Sequence, residues 1–249
     1  MKTYFLALKY KGTRYAGFQI QENAPTIQYE VQEAMRKYLR QEVGLTGSSR
    51  TDAGVHANMN FFHFDYQDQL GKDFLYHVNA ILPRDISLTG IFEVPLGSHS
   101  RFDAISRRYR YRICSVKDPF MDDRSWYYPY PMDGEALAAA AAVLLGTHDF
   151  TSFAKRNAQV HTHMCTILLS NWEVKPDGWE FEVEGNRFLR GMVRALVATM
   201  AKVGRGRIGV EEFRHILSAK QSAMADFSAP GHGLFLDAVN YPEALGILP

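Results

Sequence analysis

Disulfide chemistry has almost nothing to work with in this 249-residue chain, which carries two cysteines, Cys114 and Cys165. A disulfide framework is excluded, and a reducing compartment, the cytoplasm, is the expectation. Long apolar runs are missing as well. The longest, 136 to 145, is far shorter than the roughly 20 residues a bilayer span requires, so no transmembrane helix is expected. The apolar stretch at residues 3 to 8 is cut off by Lys9 and Lys11 with no small-residue cleavage motif after it, and no secretory signal is read there. Charge of one sign is not in excess either: 28 Lys+Arg stand against 27 Asp+Glu. With 46% hydrophobic and 22% charged residues, the composition excludes disordered and collagen-like chains and leaves a soluble globular protein large enough for a sizeable core.

The elements can be read from periodicity. Tyr4, Leu6, Leu8 and Tyr10 share one parity and predict a half-buried strand ended by Lys11-Gly12-Thr13. Ile27, Val31, Ala34, Met35, Tyr38 and Leu39 recur at helical spacing behind Thr26, a suitable N-cap, with Glu30 near the positive helix start. A Gly-bracketed loop, 44 to 54, precedes a strand over 58–64. A helix is expected over 74–82, a strand over 87–94 and a long strand with alternating Arg and Tyr over 101–116. An Ala-rich helix over 133–145 is closed by Gly146. A hairpin joins 166–174 to 179–184 through Lys175-Pro176-Asp177-Gly178. Helices over 188–203 and 210–219 and a strand over 234–239 complete the chain. Strands and helices mix without strict βαβ alternation, which points to an antiparallel-rich α+β class. The strand-helix-strand pattern in each half suggests two related lobes, 1–100 and 101–249, facing each other across a cleft that would take a ligand.

The near-zero net charge hides clustering. Arg101, Arg107, Arg108, Arg110 and Arg112 form one group, and Arg187, Arg190, Arg194, Lys202, Arg205 and Arg207 another. Such groups serve either as solvated faces or as patches for a polyanion.

The most informative stretch runs from Gly47 to Ala57 and places Arg50, Asp52 and His56 between glycines. A carboxylate oriented by a guanidinium suits a nucleophile or a base. The same residue types also fit an Asx-turn beside a surface arginine. Three further patterns stand in the chain. His161, His163 and Cys165 could face one side of a strand and begin a zinc site, but no fourth ligand or paired C-x-x-C accompanies them, so no metal is expected. Asp52-Ala53-Gly54 has the outline of an aspartic-protease motif, yet Arg50-Thr51 stands where its apolar flank belongs. Tyr109 and Tyr111 alternate with arginines as in any half-buried strand, which leaves a core role open for both.

Ser49-Arg50-Thr51-Asp52-Ala53-Gly54-Val55-His56-Ala57 resembles the signature of the transfer-RNA pseudouridine synthase A family. Other segments agree in order. Tyr10, Gly12, Thr13, Tyr15, Gly17, Gln19 and Gln21 resemble the family's opening motif, and Thr26-Ile27-Gln28 its first helix start. Arg101-Phe102, Ala104, Tyr109 and Tyr111 resemble its A-R-F-x-A-x-x-x-x-Y-x-Y, and His148-Asp149-Phe150 with Phe153 its H-D-F-x-x-F. Asn186, Phe188, Leu189, Met192, Val193 and Arg194 resemble N-x-F-L-x-x-M-V-R, while Gly233-Leu234 through Val239 and Tyr241 resemble the closing motif. Departures occur at Phe18 for the usual tryptophan, at Ala195 and Ala198, and at Cys165.

The resemblance implies the pseudouridine synthase fold and an isomerisation of uridine in tRNA. The N1–C1′ bond breaks, the base turns and a C5–C1′ bond forms, with no redox change and no cofactor. It implies that Asp52 is the catalytic nucleophile or base, that Arg194 pairs with the aspartate and that Tyr109 stacks on the base and helps remove the C5 proton. Arg50 would grip or replace the flipped nucleotide and Leu234 would pack against the extruded base. Arg14, Arg101, Arg107, Arg110 and Arg190 are the candidates for RNA-backbone contacts. The expected substrate site is the anticodon stem-loop, positions 38, 39 and 40, acted on by a cytoplasmic homodimer with no membrane partner. A non-catalytic RNA-binding module of the same fold is the alternative. A carboxylate-based nucleosidase would want a second acidic residue, and none lies near Asp52 in sequence.

Overall fold

The computed structural model describes residues 1–155 and 161–247. The chain forms two units, Met1–Ser106 with Leu236–Pro249, and Arg107–Phe235. The segment from Leu236 thus belongs with the N-terminal residues, where the sequence pattern places it in the second lobe.

The first unit is built on β1 (Lys2–Tyr10), flanked antiparallel by β3 (His56–Tyr66) and β4 (Ile86–Val94), with the short β2 (Thr46–Gly47) on β3. β10 (Leu234–Asn240) lies beside β3. Two helices complete the unit, α1 (Ile27–Leu39) and α2 (Phe74–Ile81). Thr26 caps α1 as expected, its hydroxyl accepting the Tyr29 N–H. β1 departs from the half-buried expectation, because Thr3 to Leu8 are buried on both parities. The reason is the returning C-terminal segment: Tyr241 packs edge-on against Phe5 at 5.3 Å and Phe61 at 5.1 Å, covering the face that alternation alone assigns to solvent.

In the second unit β5 (Ser106–Cys114) pairs antiparallel with β9 (Gly178–Gly185), β9 with β8 (Met164–Lys175) and β8 with β7 (Gly146–Asp149), while β6 (Trp126–Tyr127) adds a short parallel pairing to β5. α3 (Gly134–Ala142) packs on β8 and on α4 (Met192–Gly204), and α5 (Val210–Ala219) joins both helices. Among the boundaries that differ from the sequence reading, α3 ends at Ala142 rather than at 145, and two starts have a clear local cause. β5 starts at Ser106 because residues 99–103 are folded into a turn in which the Phe102 and Asp103 N–H groups donate to the His99 carbonyl. α4 starts at Met192, after a turn closed by Met192 N–H on the Leu189 carbonyl. Among the described residues, no helix is long and apolar enough to cross a membrane.

Candidate active site

The loop that carries Asp52 is held by the segment that follows β1. The Tyr10 hydroxyl and Thr51 Oγ1 lie 2.8 Å apart, and Asn60 Nδ2 donates both to the Tyr10 hydroxyl at 3.2 Å and to the Ser49 carbonyl at 2.9 Å. The Phe18 N–H donates to the Thr51 carbonyl, and the Gly54 N–H to the Tyr15 carbonyl. The Gly12 N–H donates to His56 Nδ1 at 3.1 Å. A backbone N–H can only donate, so His56 is fixed with Nδ1 unprotonated. Gly17 sits at φ +125°, and a Cβ there would meet the Thr51 carbonyl at 3.0 Å. The two motifs of the sequence are therefore one structural device: Tyr10, Gly12, Tyr15 and Gly17 grip residues 51–56 from outside. Asp52 rides half-buried on the turn closed by Val55 N–H on its own carbonyl, and Arg50 is exposed.

Tyr10→Phe removes the hydroxyl between Thr51 and Asn60. A loss of about 1–2 kcal/mol is expected, read as a lower urea midpoint at unchanged slope. An unmoved midpoint would mean that the loop is held without it.

In the second unit, Tyr109 and Tyr111 share one face of β5. Tyr109 is buried with its ring edge-on to Phe188 at 5.1 Å. Tyr111 is wholly buried and donates its hydroxyl to the Pro230 carbonyl at 2.9 Å. Burial pushes its phenol up, against the opposing effect of the nearby Arg194 charge, so it remains a donor at neutral pH. Arg194, half-buried on α4, donates Nε to the Ala229 carbonyl at 2.7 Å. Two adjacent carbonyls, one from each of Ala229 and Pro230, are thus fixed by α4 and β5. The chain beyond them is delivered into β10 with Leu234 buried at its start.

A family model described as tRNA pseudouridine synthase matches residues 140–242. Over 98% of both chains the protein is 42% identical to the tRNA pseudouridine synthase A of Parabacteroides distasonis, and over the same share 40% identical to that of Bacteroides fragilis. It is 34% identical to that of Staphylococcus aureus strain MRSA252, over 95% of this chain and 90% of the other. The chain belongs to the tRNA pseudouridine synthase A family.

In this member of the family, Asp52 and Arg50 are carried by the first unit, and Tyr109, Arg194 and Leu234 by the second. The arginine cluster of β5 is not an unopposed basic patch. Arg108, Arg110 and Arg112 lie in register with Glu184, Glu182 and Glu180 of β9, and the pairs approach to 2.7, 3.6 and 3.0 Å. This is a cross-strand ladder that neutralises much of its own charge. Arg107 is buried and donates Nη1 to the Asn186 carbonyl, and Arg110 is half-buried. Arg14, Arg101 and Arg190 are exposed, Arg14 pairing with Asp85 at 2.7 Å. Phe18, which replaces tryptophan, is buried and stacks on Phe62 at 4.7 Å, so the departure is absorbed by close packing. Cys165 is buried, its thiol pushed up to about 11 by burial. Among the described residues no three His, Cys, Asp or Glu side chains group as a metal site.

Sequence reasoning missed Asn60 and the bond made by His56. The signal for Asn60 was present, since an amide inside the apolar run Asn58 to Phe64 must find partners when buried.

Proposed function

We propose that this chain isomerises uridine to pseudouridine in tRNA, at positions 38, 39 and 40 of the anticodon stem-loop. The observation that carries the reading is the loop 49–57, whose backbone is bonded from both sides so that one half-buried carboxylate, Asp52, is presented on a fixed turn. Near-full-length likeness to proteins named tRNA pseudouridine synthase A supports it. Asp52 acts as nucleophile on C1′ or as base on a ribose proton; Tyr109 stacks on the uracil and Arg194 holds the aspartate ionised. Leu234 packs on the extruded base, and Arg50 grips the flipped nucleotide. The reaction balances internally, because N1 releases C1′, C5 takes it, and the C5 proton is lost as N1 gains one. It calls for no cofactor. Exposed Arg14, Arg101 and Arg190 contact backbone phosphate. The enzyme works in the cytoplasm as a homodimer, so that one tRNA touches both copies.

The test is product mapping on an unmodified tRNA transcript with uridines at 38–40. Pseudouridine at those positions is expected. Tight binding without product would favour the non-catalytic RNA-binding module, and product confined to other positions would overturn the assignment of the anticodon stem-loop.

A further inference from the structure

The first unit contains an open cavity of about 220 Å³ whose wall includes Phe18, Gln28, Arg50, His99, Arg101 and Phe102. None of its lining residues is acidic. Two of them are arginines, both exposed, and Arg50 lies two residues from Asp52. Two guanidiniums and no carboxylate in the lining favour an anion.

The aromatic part of the wall says which kind. Phe102 is 74% exposed, so its ring is open to a partner from solvent. Its centroid lies 4.2 Å from that of His99, with the Arg101 guanidinium 5.7 Å from the Phe102 ring centre. The His99 side of this ring pair is pinned by its own turn. His99 Nδ1 accepts the N–H groups of Arg101 and Phe102, and the Asp103 carboxylate accepts the His99 N–H at 2.7 Å. The floor is firm as well, with Phe18 stacked on Phe62 and the Gln28 amide anchored on the Leu45 carbonyl. An exposed aromatic ring and two guanidiniums lining one cavity are the chemistry that takes a nucleobase and its phosphate.

We propose that this cavity seats one nucleotide of the RNA adjacent to the target uridine, its base stacked on the solvent-facing side of the Phe102 ring, which His99 backs in turn against His63, and its phosphate held between Arg50 and Arg101. The inference rests on the reading that the chain acts on tRNA. It makes Phe102 an affinity-determining residue, placed to hold the strand while the neighbouring base leaves the stack.

The test compares the wild type with Phe102→Ala, Phe102→Tyr, Arg101→Gln and, as a control, Phe120→Ala, whose ring in the second unit is 85% exposed. Equilibrium binding of unmodified tRNA across a salt series and kcat/KM for pseudouridine formation are measured together. Phe102→Ala is expected to weaken tRNA binding about tenfold or more and to lower kcat/KM in proportion, with Phe102→Tyr restoring both. Arg101→Gln should reduce the slope of log K against log salt by about one. Phe120→Ala should match the wild type. An active wild type with unaltered tRNA affinity in Phe102→Ala overturns the nucleotide seat while leaving the activity assignment intact. Equal losses in Phe102→Ala and Phe120→Ala overturn it too, as generic contact. A wild type that neither binds nor modifies tRNA overturns the functional reading itself.

Discussion

Asp52→Ala is expected to abolish pseudouridine formation, a fall of about 10⁴-fold or more in kcat, while tRNA remains bound. The size follows from chemistry. A group that forms or breaks a bond in the reaction has no substitute nearby, whereas the contacts that grip the RNA are spread over many residues. The loop should keep its conformation, because bonds through the Thr51 carbonyl and hydroxyl, the Gly54 N–H and the His56 ring remain in the variant. Single-turnover formation of product, tRNA affinity and the unfolding midpoint, measured on one preparation, separate the possibilities. Product from the variant would mean that another residue does the chemistry. A collapsed midpoint would mean that Asp52 is structural.

Gly12→Ala should be the most damaging substitution outside the reacting groups. A Cβ on Gly12 would lie 1.9 Å from the Val55 carbonyl oxygen and 2.6 Å from its carbon. Both atoms are backbone, so no rotamer change relieves the clash, and either β1's continuation or the Asp52 loop must shift. A loss of about 3 kcal/mol or more is expected, together with a fall in kcat exceeding tenfold, since Val55 is three residues from Asp52. Gly44→Ala is the matched control, having nothing within 4 Å of its Cβ position, and should be neutral or slightly stabilising. Full activity and stability in Gly12→Ala would show that the loop tolerates displacement.

Much of this fold could be read in advance, and the unread part has a pattern. The helix from Ile27 was legible from its period and its Thr26 cap because both are local. The motif Tyr10, Gly12, Tyr15, Gly17 is visible as a motif, but its purpose is not, because its bonds to the Asp52 loop reach some forty residues along the chain. The burial of both faces of β1 depends on Tyr241, which no period in residues 2–10 encodes. The arginine cluster looked basic for the same reason: Glu180, Glu182 and Glu184 share the two-residue spacing of Arg108, Arg110 and Arg112, yet only register brings them opposite. In the sequence Tyr111 is only one member of an alternating Arg/Tyr pattern; its bond to the Pro230 carbonyl gives its burial a purpose.

The return of the chain from Leu236 to the first unit also sets the order of assembly on the ribosome. Residues made earliest wait longest. β3 lacks its β10 neighbour, and Phe5 and Phe61 lack the Tyr241 ring, until the whole second unit, Arg107–Phe235, has emerged. The second unit, continuous in sequence, can close first. During that interval β3, covered on that side only by the short β2, presents a partly open strand edge above an uncovered aromatic layer, the kind of surface that nascent chains must shield from one another. Loss of the last strand would therefore be felt at the opposite end of the sequence, in the sheet that supports the Asp52 loop.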